Sequence, residues 1–337
     1  MKRMLGRSGI EVSPMGLGCW AIGGPFWLDG KADGWGEVND EESVRAIQRA
    51  LELGVTFFET ADVYGTGHSE TVLGRALEGR RDRVVIATKF GVTFDADTRQ
   101  ATGTDTSAAY VRGACEASLR RLRTDVIDLY QLHISSLPLE QAEEVAGVLE
   151  DLRREGRIRA YGWSTDDVEG ARLFARMPSC TSIEHTLNVF EDAPALLGLC
   201  ADHDLASINR SPLAMGVLSG KFTADSRLPT DDVRGAGHTW VPYFEDGRLS
   251  PAFLERLAAV REILTSGGRT LSQGALAWIW ARSERTIPIP GFKSVEQVEE
   301  NAGAMALGPL TPAEMGEIET LIGRSPSERG AAAPASG

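Results

Sequence analysis

Four residues of this chain, Glu59, Tyr64, Lys89 and His133, are of the types that carbonyl chemistry needs. A tyrosine ionises near pH 10, too high for an efficient proton donor or acceptor at neutral pH. A lysine within a few ångströms favours the phenolate and is expected to lower that value, each unit being worth about 1.4 kcal/mol. A carboxylate beside the lysine keeps it charged and oriented, and a neutral histidine can donate a hydrogen bond that positions a carbonyl oxygen. Such a set would deliver a proton to an oxygen on which negative charge develops as a hydride arrives. Taken singly, each residue has a plainer reading: Tyr64 as a core-edge aromatic, Lys89 and Glu59 as a structural ion pair, His133 as a strand cap. Only a fold that gathers all four favours the chemistry.

The surrounding sequence predicts such a fold. Val55-Thr56-Phe57-Phe58 is an apolar run that stops at Glu59; Tyr64 and Gly65 follow on a short loop, and a helix begins past Gly67 and Ser69. Similar apolar runs stand at 15–19, 83–89, 126–133, 158–164, 182–187, 206–210 and 287–290. Helical periods lie between them: one from Asn39, with Glu42 completing a capping-box-like start and Gly54 closing it, then 107–122, Pro138 to Gly156, and 193–203. Eight strand–helix units predict an α/β fold, a (β/α)8 TIM barrel forming a single domain over 1–322, with long loops at its carboxyl-terminal mouth. An open doubly wound sheet is the competitor, but Gly65-Thr-Gly67 is followed by His-Ser-Glu-Thr and makes no dinucleotide fingerprint. In a barrel the strand ends converge, which would bring Glu59, Tyr64, Lys89 and His133 to one mouth. Asp62 is then a loop-structuring residue rather than a rival carboxylate.

Two segments break the repeat. Residues 21–38 are rich in Gly and Trp and read as an irregular loop over one mouth; residues 222–249 lack any period and carry Arg234, His238, Trp240, Tyr243 and Phe244, as a lid or specificity loop would. The stretch 323–337 is poor in apolar residues and reads as a disordered tail. The 337 residues are 42% hydrophobic and 25% charged with a net charge of −13, which fits a globular protein with a sizeable core and disfavours nucleic-acid or anionic-membrane partners. No run reaches the roughly 18 apolar residues of a membrane span, and MKRMLGRSGI lacks a signal-peptide core, so a cytoplasmic protein is expected. Four scattered cysteines suit reduced, packed thiols, and five histidines with no HxH pair after an early strand make a metal site a poor expectation.

The motifs resemble those of the aldo-keto reductases, over nearly the whole chain from Gly16-Leu-Gly18 to Asn301. FFETADVYG, ATKF, DLYQLH and GWST match the family's successive strand ends; SPLAMGVLSGK at 211–221 and IPGFKSVEQVEENA at 289–302 match two further segments. The resemblance implies a barrel that binds NADP(H) without a Rossmann domain and reduces an aldehyde or ketone. Tyr64 would be the general acid, Lys89 and Glu59 its tuning pair, and His133 the carbonyl orienter. For the cofactor it implies Ser164, Thr165 and Glu184 around the carboxamide and nicotinamide, Arg210 stacked on the ring, and Ser211, Leu213, Gly216, Lys221 and Gly291 along the body. Lys293 with the helix N-terminus behind it would take the 2′-phosphate, with Gln297, Glu300 and Asn301 completing the adenosine end. Trp20, Trp35, Trp240 and Tyr243 are the expected walls for a small carbonyl or alcohol substrate. The chain departs from the family pattern at Glu59 (for aspartate), Glu184 and Leu187 (for glutamine and tyrosine), Thr165 (for asparagine) and Gln297 (for arginine). The departures at Glu59, Glu184 and Leu187 motivate a rival reading as a nicotinamide-binding redox sensor with little turnover. Oligomeric state leaves no mark in the sequence.

Overall fold

A computed structural model describes residues 2–324. Eight parallel strands form one sheet in chain order: β1 (Gly16–Gly18), β2 (Phe57–Glu59), β3 (Val85–Phe90), β4 (Ile127–Leu132), β5 (Ile158–Ser164), β6 (Cys180–Thr186), β7 (Ala206–Arg210) and β8 (Thr286–Pro288). The sheet closes where Gly18 N–H donates to the Pro290 carbonyl at 3.1 Å and pairs with Gly291. Closure explains the glycines of β1. A Cβ on Gly18 would lie 2.9 Å from the Ile289 carbonyl oxygen, and one on Gly16 would lie 2.4 Å from the Phe57 ring.

Period-two alternation sorts each strand into a lumen face and a helix face. Phe57, Val85, Ala87, Leu129, Ala160, Ala206, Ile208 and Ile287 fill the lumen. A short hairpin, Arg3–Met4 with Glu11–Val12, closes the amino-terminal end, adding Leu5, Ile10 and Val12 to the same cluster. Phe58, Ile86, Tyr130, Tyr161 and Ile183 face outward into a larger core, against helices that include α1 (Asp40–Glu52), α2 (His68–Ala76), α3 (Ala108–Leu122) and α4 (Leu139–Arg154). With apolar residues in the lower lumen, the same alternation carries Glu59, Lys89, Gln131, Ser164, Glu184 and Arg210 to the upper lumen. Both faces of the strands are covered, which is why they read as continuous apolar runs.

Some helix starts follow side-chain caps. Asn39 accepts from Glu42 N–H, as the capping-box reading requires, but the Glu42 carboxylate does not return to Asn39: it accepts from Val295 N–H at 3.0 Å. The helix α5 (Val168–Ala175), absent from the sequence reading, is capped by Asp167. Beyond it lie α6 (Pro194–Asp202), α7 (Pro251–Leu264), α8 (Leu271–Arg282), α9 (Val295–Gly303) and α10 (Pro312–Leu321).

The loop expectations need correction in one place. Residues 21–38 are not irregular throughout: Trp27–Leu28 and Lys31–Ala32 join a hairpin, Val92–Asp95 with Gln100–Thr104, in a four-stranded sheet over the mouth. The long segment 222–249 is mostly aperiodic, as expected, with one small pair at Phe244–Glu245 and Arg248–Leu249. It docks on the first loop through Val233 N–H to the Gly34 carbonyl at 2.8 Å and a Trp35–Asp232 bridge. Of the expected tail, residues 325–337 lie outside the described residues; Arg324 is held by the Val189 carbonyl at 2.8 Å and by Glu319.

Candidate active site

The upper lumen holds a buried charge cluster. Lys89, at the end of β3, is fully buried and donates its Nζ to Glu59, to the Tyr64 hydroxyl at 2.9 Å and to the Thr60 carbonyl at 3.2 Å. The additional methylene of Glu59, compared with aspartate, does not keep its carboxylate from the ammonium. Glu184, at the end of β6, lies 3.4 Å from the same Nζ and accepts from Gln131 Nε2 at 2.6 Å and Ser164 Oγ at 3.2 Å. The His133 ring stands edge-on to Tyr64, with centroids 5.7 Å apart.

Tyr64 reaches this cluster because its loop is tightly built. Gly65 takes φ +59°, and the Ser69 hydroxyl ties the Thr60 hydroxyl to the Cys19 carbonyl, 2.8 Å from each. Asp62 points elsewhere: it is buried, and desolvation together with Glu70 pushes its carboxyl well above the usual carboxylate range.

Electrostatics set the protonation states, and one expectation is reversed. Burial first, then the Glu184 charge, holds Tyr64 well above the ordinary phenol value, so the residue is a proton carrier rather than a phenolate at neutral pH. Burial lowers Lys89, with Glu184 opposing that shift. Burial and the nearby cations Lys89 and Arg210 keep His133 neutral, well below the usual imidazole range. Its Nδ1 is buried without a partner. The set can therefore hold a proton on Tyr64 and offer a neutral imidazole beside it.

Around the site the other expected residues divide. Trp20 stacks on Tyr64 at 5.8 Å and on Trp240 at 6.2 Å, and Trp35 meets Trp20 edge-on at 5.4 Å. Trp240 is 50% exposed, so the three tryptophans form an open aromatic wall leading from solvent to the Tyr64 ring. Tyr243 does not belong to it: it is buried against Phe253 and bonds Asn188 and Glu191. Thr165 is likewise occupied, donating to the Ser135 carbonyl in the loop after β4 and accepting from Asp167 N–H at 2.9 Å. Arg210 pairs with Asp166 at the rim, and that carboxylate also accepts from Thr186 N–H at 2.8 Å.

A second group lies along the mouth. Ser211, Ala214 and Met215 have φ between 47° and 52°, and Gly216 has φ +95°. Each non-glycine residue there costs about 1 kcal/mol or more, a strain that clusters at functional segments. The Leu213 carbonyl closes this turn, accepting from Gly216 N–H at 2.9 Å and Leu218 N–H at 3.1 Å. The side chains of Lys221 and Arg234 come within 3.5 Å of where a Gly216 Cβ would stand. The Arg234 guanidinium lies 4.4 Å above the Trp35 ring and pairs with Asp232. Arg234 was visible in the sequence only as one residue of an aperiodic loop, with no period to say which way it faced. Lys293 is turned to the first loop, donating to the carbonyls of Trp35 at 3.0 Å and Glu37 at 2.8 Å. Ser294 caps α9, Gln297 accepts from Lys293 N–H at 2.7 Å, and the Glu300 carbonyl accepts from Gln273. Asn301 is buried, and Gly291 carries the barrel closure.

These residues fit an anionic dinucleotide. The N-terminus of α9 already holds an anion, the Glu42 carboxylate on Val295 N–H, and Lys221, Arg234 and Lys293 stand near one another with Asp232 among them.

Residues 14–322 match the model of the aldo/keto reductase family. The chain belongs to that family. The reductase is 33% identical over 302 residues to the aldo-keto reductase YhdN of Bacillus subtilis, across 87% of this chain and 85% of that protein. Among solved structures it resembles the glycerol dehydrogenase AKR11B4 from Gluconobacter oxydans, with TM-score 0.80 and 28% identity over 96% of this chain and 95% of that one. It also resembles an aldo/keto reductase from Klebsiella pneumoniae solved with NADP and acetate, with TM-score 0.70 and 25% identity over 97% of each. The reductase is thus an oxidoreductase on a (β/α)8 barrel. Among its described residues no helix is long and apolar enough to cross a membrane.

Proposed function

We propose that the protein uses NADP(H) to reduce an aldehyde or ketone to an alcohol, reversibly, with Tyr64 as proton donor. The observation that carries this reading is the Lys89 Nζ to Tyr64 hydroxyl contact of 2.9 Å within a buried cluster that keeps the phenol protonated. When bound, the cofactor supplies the hydride. Tyr64 holds a proton at its hydroxyl for the substrate oxygen, and Lys89 beside it stabilises the phenolate that remains. His133, kept neutral, orients that oxygen from the other side. The wall of Trp20, Trp35 and Trp240 suits an apolar or sugar-like substrate face. Lys293, Lys221 and Arg234 would hold the phosphates; the relatives solved with NADP support this choice of cofactor. Tyr64→Phe should abolish NADPH-dependent reduction across a panel of aromatic aldehydes, sugars and ketones while leaving NADPH binding within about threefold; unchanged turnover overturns the mechanism. The rival sensor reading, motivated by the departures at Glu59, Glu184 and Leu187, predicts tight NADP(H) binding with negligible turnover on that panel; the Glu59–Lys89 pairing favours the reductase.

A further inference from the structure

Lys89 carries one positive charge and faces two buried carboxylates, Glu59 in contact and Glu184 at 3.4 Å. Every hydrogen-bonding partner of Glu184 is a donor: Lys89, Gln131 Nε2 and Ser164 Oγ. The other cation on the rim, Arg210, is already paired with Asp166. Counted over these side chains, the mouth of the lumen holds one more negative than positive charge. We propose that Glu184 is a positioning residue that shares Lys89 with Glu59 and biases the site toward a protonated Tyr64 and an oxidised, cationic nicotinamide. This deepens, and rests on, the reading of the site as an NADP(H)-dependent carbonyl reductase.

The charge reaches both targets by distance. Glu184 is separated from the Tyr64 hydroxyl by a single ammonium, at 3.4 Å and 2.9 Å from its two neighbours. The carbon that accepts hydride is bonded to the oxygen that Tyr64 protonates, so the nicotinamide ring must lie within about 4 Å of that carbon at transfer. A carboxylate roughly 10 Å or less from a ring that gains a positive charge on oxidation stabilises the oxidised form on the order of tenfold at an effective dielectric near 20. Other charged and titratable groups face Tyr64 from every side: Glu59 from β2, Lys89 from β3, His133 beyond β4, Arg210 from β7, Asp33 from the first loop and Cys19 beyond β1. Beside burial, the Glu184 charge acts against the phenolate.

The experiment measures dissociation constants of NADP+ and NADPH by fluorescence titration, for the wild-type protein and for Glu184→Gln and Glu184→Asp. The wild type should bind NADP+ at least as tightly as NADPH. Glu184→Gln should weaken NADP+ relative to NADPH about tenfold and move the alkaline limb of the reduction pH profile to lower pH. Glu184→Asp, which keeps the charge, should retain the wild-type ratio. A ratio and a limb both unchanged in Glu184→Gln, with only stability lowered, would reduce Glu184 to a structural role. If Glu184→Gln does not fold, the wild-type ratio decides: NADPH bound about tenfold more tightly than NADP+ overturns the proposal. Failure of the wild type to bind either form would instead remove the cofactor reading itself.

Discussion

Gly65 is packed against Gly23 so closely that a Cβ on Gly65 would lie 1.8 Å from the Gly23 carbonyl oxygen. The contact joins the Tyr64 loop to the first loop, and Gly65 also needs its φ of +59°. Gly65→Ala must therefore push the two loops apart and take Tyr64 with them. The expected outcome is a loss of about 2 kcal/mol or more in stability and a fall in kcat of at least a hundredfold, read by denaturant titration and by NADPH turnover. Wild-type kcat in Gly65→Ala would contradict a loop that fixes the position of Tyr64.

His133 and His185 are both held below the usual imidazole range, chiefly by burial, so the unfolded chain binds more protons than the folded one as pH falls below about 6.5. Stability should then rise with pH toward neutrality and decline progressively on acidification through the histidine range. Tyr64 acts at the other end: held above its ordinary value, it keeps its proton when the unfolded phenol has lost it, so stability should fall above about pH 10. Urea midpoints measured across pH 5 to 8 check the first part, and His133→Gln should flatten that slope. An unaltered slope would mean that His133 titrates alike in the folded and unfolded chain.

Glu42 holds the first free N–H of α9 and lies beside Arg45, on an exposed part of the surface. A phosphate seated at that N-terminus would have to displace this carboxylate or share the N–H with it. Glu42→Ala should tighten NADPH by about three- to tenfold and leave NADH within twofold, the difference shrinking in high salt. Equal effects on the two cofactors would place the 2′-phosphate elsewhere.

Much of this molecule is legible in the residues themselves. Strands covered on both faces must be apolar along their whole length, so eight short apolar runs mark the barrel, five of them ending at a polar residue: Glu59, Lys89, His133, Ser164 and Arg210. Alternation along those strands then puts Glu59, Lys89, Ser164 and Glu184 on one side of the sheet, and the closing of the sheet makes that side a lumen. Glycines at positions 16 and 18 mark a strand that another backbone approaches closely, and the structure shows that backbone to be the closing strand end at Ile289. Local pattern is enough for the strands and their alternation, since each of those inferences depends on neighbours within a few residues.

What only the tertiary structure decided depends on neighbours far apart in the chain. The sheet built from residues 27–32 and 92–104 pairs two loops that have no shared period, and the two-residue strands carry too few side chains to show alternation. Tyr243 looked like a wall of the cleft, yet Glu191 and Asn188 draw it into the core. Arg234 gained a place over Trp35 only when the long loop docked. The direction of the Tyr64 shift was reversed for the same reason. Lys89 could be named from its strand, but the second carboxylate that shares it, Glu184, arrives from three strands further round the barrel, and a buried charge is set by everything within a few ångströms rather than by its own segment.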